Sequence, residues 1–145
     1  MKFSTKGRYA LRVMVELAQH GKDEYIPLKL ISERQEISMK YLEMIIAILH
    51  RAGFVLSHRG KDGGYKLAKA ANEYTVGSVL KLAEGSLAPV ACLDNKIITC
   101  KRANHCITLP MWQKLDKLID DYLESVTIED LLLQQNQFLG NDYYI

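Results

Sequence analysis

A chain of 145 residues, 48% of them hydrophobic, is too apolar to be disordered and can bury one sizeable core, or a smaller domain plus an arm shared with a second copy. No apolar run approaches membrane-spanning length, and the opening Met1-Lys2-Phe3-Ser4-Thr5-Lys6-Gly7 lacks the apolar centre of a signal peptide, so a cytoplasmic protein is expected. The formal net charge of +2 hides an asymmetry: residues 1–66 hold 12 Lys/Arg against 7 Asp/Glu and the remainder 7 against 10, so an anionic partner would meet the amino-terminal half.

A first helix is predicted from about Gly7 to His20, with Leu11, Met14, Leu17 and Ala18 turned inward. Pro27 suits the first turn of a second helix running through Arg34, and Gln35-Glu36-Ile37 forms the turn into a third. Ser38 offers that third helix an N-cap oxygen, Leu42, Ile45, Ile46 and Leu49 recur on one face, and Gly53 follows as a residue free to become left-handed. Lys40, Tyr41, Glu43, Met44 and Arg51 are left facing out. The alternation of Val55, Ser57 and Arg59 with Phe54, Leu56 and His58 then predicts a strand, Gly60, Gly63 and Gly64 its turn, and Tyr65-Lys66-Leu67 the return strand. A helix that could enter a DNA groove, followed directly by a Gly-tipped hairpin, reads as a winged helix-turn-helix. Ser38, Lys40, Tyr41 and Glu43 would face the major groove, and Arg59, Gly60 and Lys61 would reach phosphates or a narrow minor groove. A carboxylate at Glu43 repels phosphate unless it accepts from a cytosine amino group, which makes it a filter against wrong sites.

Thr75 caps a fourth helix that Gly85 ends. From Ser86 to Leu109 the pattern breaks into a loop longer than a compact domain tolerates without a function. Pro110 restarts a helix in which Met111, Trp112, Leu115, Leu118, Ile119, Tyr122 and Val126 form an apolar stripe through about Ser125, and Thr127 with Asp130 resembles a capping box for a short last helix. Such a stripe either folds back on its own domain or packs on a second copy; the expectation is a two-fold homodimer with recognition helices spaced for a pseudo-palindromic operator. The predicted architecture is mainly α with a small β-wing, divided into a DNA-binding domain (1–85), a cysteine-bearing loop (86–109), a dimerisation helix region (110–135) and a carboxyl-terminal tail (136–145).

All three cysteines, Cys92, Cys100 and Cys106, lie in that loop, and an odd count in a cytoplasmic chain argues against a disulfide framework. Zinc sites favour close Cys-x-x-Cys pairs, whereas gaps of seven and five residues suit thiolates wrapping an iron–sulfur cluster; packed or redox-reactive thiols are the open alternative. No nucleophile–base pairing is visible, and the one Gly-rich stretch, Gly60–Gly64, lies inside a hairpin, so an enzyme is not expected.

Met1 to Ala10, Ile31-Ser32-Glu33-Arg34-Gln35, Ser38-Met39-Lys40-Tyr41-Leu42-Glu43, Arg59-Gly60-Lys61-Asp62-Gly63-Gly64-Tyr65 and Trp112 with Thr127-Ile128-Glu129-Asp130-Leu131 resemble the IscR, NsrR and CymR family of bacterial transcription regulators, also called the Rrf-two family, over nearly the whole chain. The iron–sulfur cluster biogenesis branch, the IscR type, is the nearest. The resemblance implies a winged-helix domain, a long dimerisation helix, and a loop whose three cysteines hold a cluster, 2Fe-2S or 4Fe-4S; Cys92, Cys100 and Cys106 match those ligand positions, with a longer first gap. The histidine that supplies the fourth ligand in the nearest branch is replaced by Leu109, and the Asp of the nitric-oxide-sensing members has Arg8 near its place. The fourth position is left to His105, to a residue of the partner subunit's first helix, to water or a small thiol, or to nothing. The tail Gly140-Asn141-Asp142-Tyr143-Tyr144-Ile145 resembles that of the cysteine-metabolism branch, in which a Tyr-Ile end plugs cysteine synthase. On that likeness Tyr144 and Ile145 would be partner-binding residues of a cluster-free repressor; an end packed on its own dimer is the alternative.

Overall fold

Ser4 opens the first helix, α1 (Thr5–Ala18), by accepting the Gly7 N–H on its side-chain oxygen. In the computed structural model, which describes residues 2–96, 98 and 100–142, α1 is the central element: α2 (Leu28–Gln35), α3 (Met39–Arg51), α4 (Val76–Glu84) and α6 (Ile128–Asp142) all pack against it. Its inward face is centred on Ala10, Val13, Met14 and Leu17, while Leu11 and Ala18, expected inside, are only half-buried. A helix between α2 and α4 covers a wider arc than the four positions the pattern marks.

Between α3 and α4 runs an antiparallel ribbon of β1 (Val55–His58) and β2 (Gly64–Leu67), with Val55 opposite Leu67 and His58 opposite Gly64. Gly53 enters it with φ +77°, the left-handed conformation expected after α3. Ile26 and Tyr65 exchange backbone hydrogen bonds of 2.8 and 2.9 Å, which fasten the ribbon to the segment before α2. A Cβ on Gly64 would run into the Ile26 carbonyl, so this contact requires glycine.

The core gathers Met14, Ile26, Ile31, Leu42, Ile45 and Leu49 with Val55 and Val79, and it also contains Ile128, which is 0% exposed. Ile128 arrives there because Tyr74–Val76 and Val126–Ile128 run side by side: the Val76 N–H donates to the Val126 carbonyl at 2.7 Å and the Ile128 N–H to the Tyr74 carbonyl at 2.9 Å. The expected capping box forms, with the Asp130 N–H on Thr127 Oγ1 (3.0 Å) and the Thr127 N–H on Asp130 Oδ2 (2.9 Å). The helix it starts is 15 residues long instead of short. Its Leu131 and Leu132 pack on the core, and Gly140, near the helix end, costs only about 1 kcal/mol.

The helix α5 (Leu109–Ser125) packs on α4 and divides its apolar stripe. Trp112, Ile119 and Val126 are half-buried, whereas Met111, Leu115, Leu118 and Tyr122 are exposed, as are Leu133, Phe138 and Leu139 of α6. No described helix is long and apolar enough to cross a membrane.

Candidate nucleic-acid interface and cysteine segment

The helix α3, the expected recognition helix, begins where Ser38 Oγ accepts the Tyr41 N–H at 3.3 Å. Lys40, Glu43, Met44, Ala47 and Arg51 are exposed on its outward side, and Leu42, Ile45, Ile46 and Leu49 anchor the opposite one. Tyr41 does not stand free: it is half-buried, its ring meeting Tyr9 edge to face at 5.7 Å, with the Arg12 guanidinium 4.9 Å from the Tyr9 ring.

The turn that delivers α3 is held by a polar cluster absent from the apolar pattern. Glu16 on α1 is 2% exposed, with His20 and Arg34 each 3.6 Å from its Oε2 and Gln35 Nε2 3.5 Å from Oε1. Arg12 donates to the Gln35 side-chain oxygen at 3.0 Å and to the Gln35 carbonyl. Glu36 then takes φ 55°, a left-handed turn that a non-glycine residue adopts only when its surroundings fix it, and Ile37 drops into the core. A buried carboxylate on α1 beside the Arg34 guanidinium thus ties the end of α2, and with it the turn into α3, to α1.

At the wing, Arg59, Gly60 and Lys61 are exposed at the tip. Behind them Tyr25 stacks on His58 (5.1 Å) and carries the Lys66 ammonium over its ring (4.7 Å), while His50 of α3 lies 3.2 Å from Ser57 Oγ. These contacts tie the ribbon to α3 on one side and to the segment before α2 on the other.

The segment after α4 contains two short 3-10 turns, 91–96 and 103–105, instead of an unbroken loop. All three cysteines are unbridged; Cys92 and Cys100 are exposed and Cys106 half-buried. A hydrogen bond from Thr108, 3.5 Å away, lowers the Cys106 thiol below its ordinary value, favouring thiolate. His105 is exposed, and Leu109 is buried as the first residue of α5. Among the described residues no three His, Cys, Asp or Glu side chains stand together as a metal set, so the structure does not gather the cysteines.

Lys81 links α4 to α5, 2.5 Å from Asp120 and 2.9 Å from Glu124, which also accepts from Thr75 Oγ1 at 2.8 Å. The Asp120 and Glu124 carboxylates raise the Lys81 pKa, and Lys81 lowers that of Glu124. Lys and Glu spaced 43 residues apart carry no local pattern by which to recognise such a tie. Tyr144 and Ile145 lie outside the described residues.

Comparison with known proteins agrees with this arrangement. The Rrf2 family pattern, described as an iron-dependent transcriptional regulator, matches residues 3–134. The chain is 39% identical to an HTH-type transcriptional regulator of Neisseria meningitidis over 97% of this chain and 94% of that one, and 38% identical to the regulator IscR of Pectobacterium carotovorum over 91% and 79%. Among solved structures it is similar to CymR, the global cysteine regulator of B. subtilis (TM-score 0.76, 34% identity, covering 92% of this chain and 98% of that one). It is also similar to T. potens IscR (TM-score 0.74, 38% identity, covering 93% and 88%).

Proposed function

Because the chain belongs to the Rrf2 family of DNA-binding transcriptional regulators, we propose that it is a homodimeric, cytoplasmic regulator that senses iron–sulfur or redox status through a cluster held by Cys92, Cys100 and Cys106. The observation that carries this reading is three unbridged thiols on the one segment joining the DNA-binding unit to α5, with that of Cys106 biased towards thiolate. Thiolates are soft ligands suited to iron, so the donor set fits in kind. Since the thiols are not gathered among the described residues, holding a cluster requires the segment to close around it, and that closure alters the chain directly before α5. When bound, the cluster, 2Fe-2S or 4Fe-4S, supplies a redox-active centre open to oxidants. His105 is the adjoining candidate for a fourth donor, since Leu109 has no donor atom.

The residues of this chain supply the rest. Ser38 fixes the start of α3, Lys40, Tyr41 and Glu43 meet the major groove, and Arg59, Gly60 and Lys61 meet the minor groove and phosphates. The exposed Met111, Leu115, Leu118 and Tyr122 of α5 form the face for a second copy, which pairs two recognition helices on a pseudo-palindromic operator. A second reading, favoured by the cover of 98% of the cysteine regulator's length, is a cluster-free repressor governed by docking of Tyr144 and Ile145 into cysteine synthase.

Anaerobically purified protein should be coloured and contain iron and inorganic sulfide, and Cys92→Ala, Cys100→Ala or Cys106→Ala should each remove both while leaving the helical fold intact. Iron-free wild-type protein overturns the sensor reading. Capture of cysteine synthase by that iron-free protein, lost when Ile145 is deleted, would then support the second.

A further inference from the structure

Met44 keeps 44% of its surface exposed on the outward side of α3, although methionine prefers burial and the core lies one face away. Lys40, Glu43, Met44 and Ala47 follow one another at spacings of three, one and three residues, which makes them a single patch spanning two turns, and all four are exposed. Ala47 lies between Glu43 and Met44 around the helix. Its single methyl lets the helix axis approach base edges closely and allows the longer side chains on either side to reach them. Glu43 can only accept, which suits a cytosine amino group and repels the carbonyl edges of guanine and thymine. Met44 offers a thioether with no donor and weak acceptance, so facing an amino or carbonyl edge it would strip water without replacing the hydrogen bond. The C5-methyl group of thymine is the one apolar feature of the major-groove edge.

We propose that Met44, with Ala47 beside it, is a specificity-determining contact that reads a thymine methyl group in each half of the operator, next to the base read by Glu43. This rests on the reading of α3 as the recognition helix. The contact favours thymine by what it gains from burying the methyl and disfavours cytosine by what Met44 would desolvate, so it sharpens the selection that Glu43 makes by charge.

The test begins with full-length protein, purified anaerobically and used to select duplexes from a random DNA library. Each thymine of the selected duplex is then replaced by deoxyuridine, which removes only the methyl group. Wild type should bind about fourfold more weakly at one thymine per half-site, the factor that corresponds to burial of one methyl group. Met44→Gln, of similar length and exposed, should bind the thymine and uracil duplexes equally there, while Arg59→Ala should weaken binding overall yet keep the methyl preference. A duplex with no uracil-sensitive position, or sensitivity that persists in Met44→Gln, overturns the proposal with the recognition-helix reading intact. Failure to select any duplex sinks both.

Discussion

Truncating Ile128 to alanine tests whether the far end of the chain is part of the amino-terminal core. The side chain is 0% exposed within the same cluster as Met14, Ile31 and Leu42, and its N–H is committed to the Tyr74 carbonyl at 2.9 Å. Removing three carbons forfeits roughly 2.4 kcal/mol of transfer free energy at about 0.8 kcal/mol each, and the cavity left behind raises the cost within the roughly 2–5 kcal/mol range of such truncations. A loss of about 3 kcal/mol is therefore expected, a large share of the roughly 5–15 kcal/mol that holds a typical domain. For 145 residues the unfolding entropy is about 0.3 kcal/mol per kelvin, so the midpoint should fall by about 10 °C. Guanidinium melts followed by far-ultraviolet circular dichroism measure the free-energy loss and thermal melts the shift in midpoint, each run at two protein concentrations because the proposed dimerisation would make apparent stability depend on concentration. The loss should be equal at both. Tyr122→Ala, 67% exposed on α5, should instead leave the high-concentration stability unchanged and increase its dependence on concentration. An Ile128→Ala loss below about 1 kcal/mol, or one seen only at low concentration, would refute the placement of Ile128 in the core of its own chain.

Arg59→Ala should weaken operator binding and reduce the slope of log affinity against log salt by about two, one for each protomer of the proposed dimer, which filter binding over a salt series checks; Glu43→Ala should broaden the set of duplexes selected from a random library, and wild-type affinity for Arg59→Ala would remove the wing from the interface. The Lys81–Glu124 tie makes a pH prediction. Glu124 is lowered below its ordinary 4.5, so its contribution is complete above that value and is lost as pH falls through the lowered one; Lys81 is raised above 10.5, so its contribution is complete below that value and is lost as pH rises through the raised one. Lys81→Ala should lower stability on the plateau between these limits and flatten both edges, and a pH–stability profile parallel to that of wild type would refute the tie.

The elements written in short-range chemistry were legible without coordinates. Ser38 with its oxygen one turn from the Tyr41 N–H, Gly53 at φ +77°, the apolar row Leu42, Ile45, Ile46 and Leu49, and the Thr127–Asp130 box each depend on residues within a few positions, so the residue types determine the backbone there. The hairpin was legible for the same reason, since its glycines answer to local turn geometry. The three cysteines were visible as a set of donors, but their spacing could not say whether the chain gathers them, and among the described residues it does not.

What the tertiary structure decided is where distant segments meet. The burial of Glu16 beside Arg34 and His20, the docking of Tyr41 on Tyr9, and the division of the α5 stripe into a half-buried row and an exposed one all depend on which element comes alongside, and helical periodicity is blind to that. Likewise, nothing local marks Ile128 as a core residue of a domain built from the other end of the chain; it becomes one because Val126–Ile128 pairs with Tyr74–Val76 and carries α6 back onto α1. Sequence sets the propensity and the polarity of each face, but burial is a property of two surfaces, and only the folded chain chooses the second.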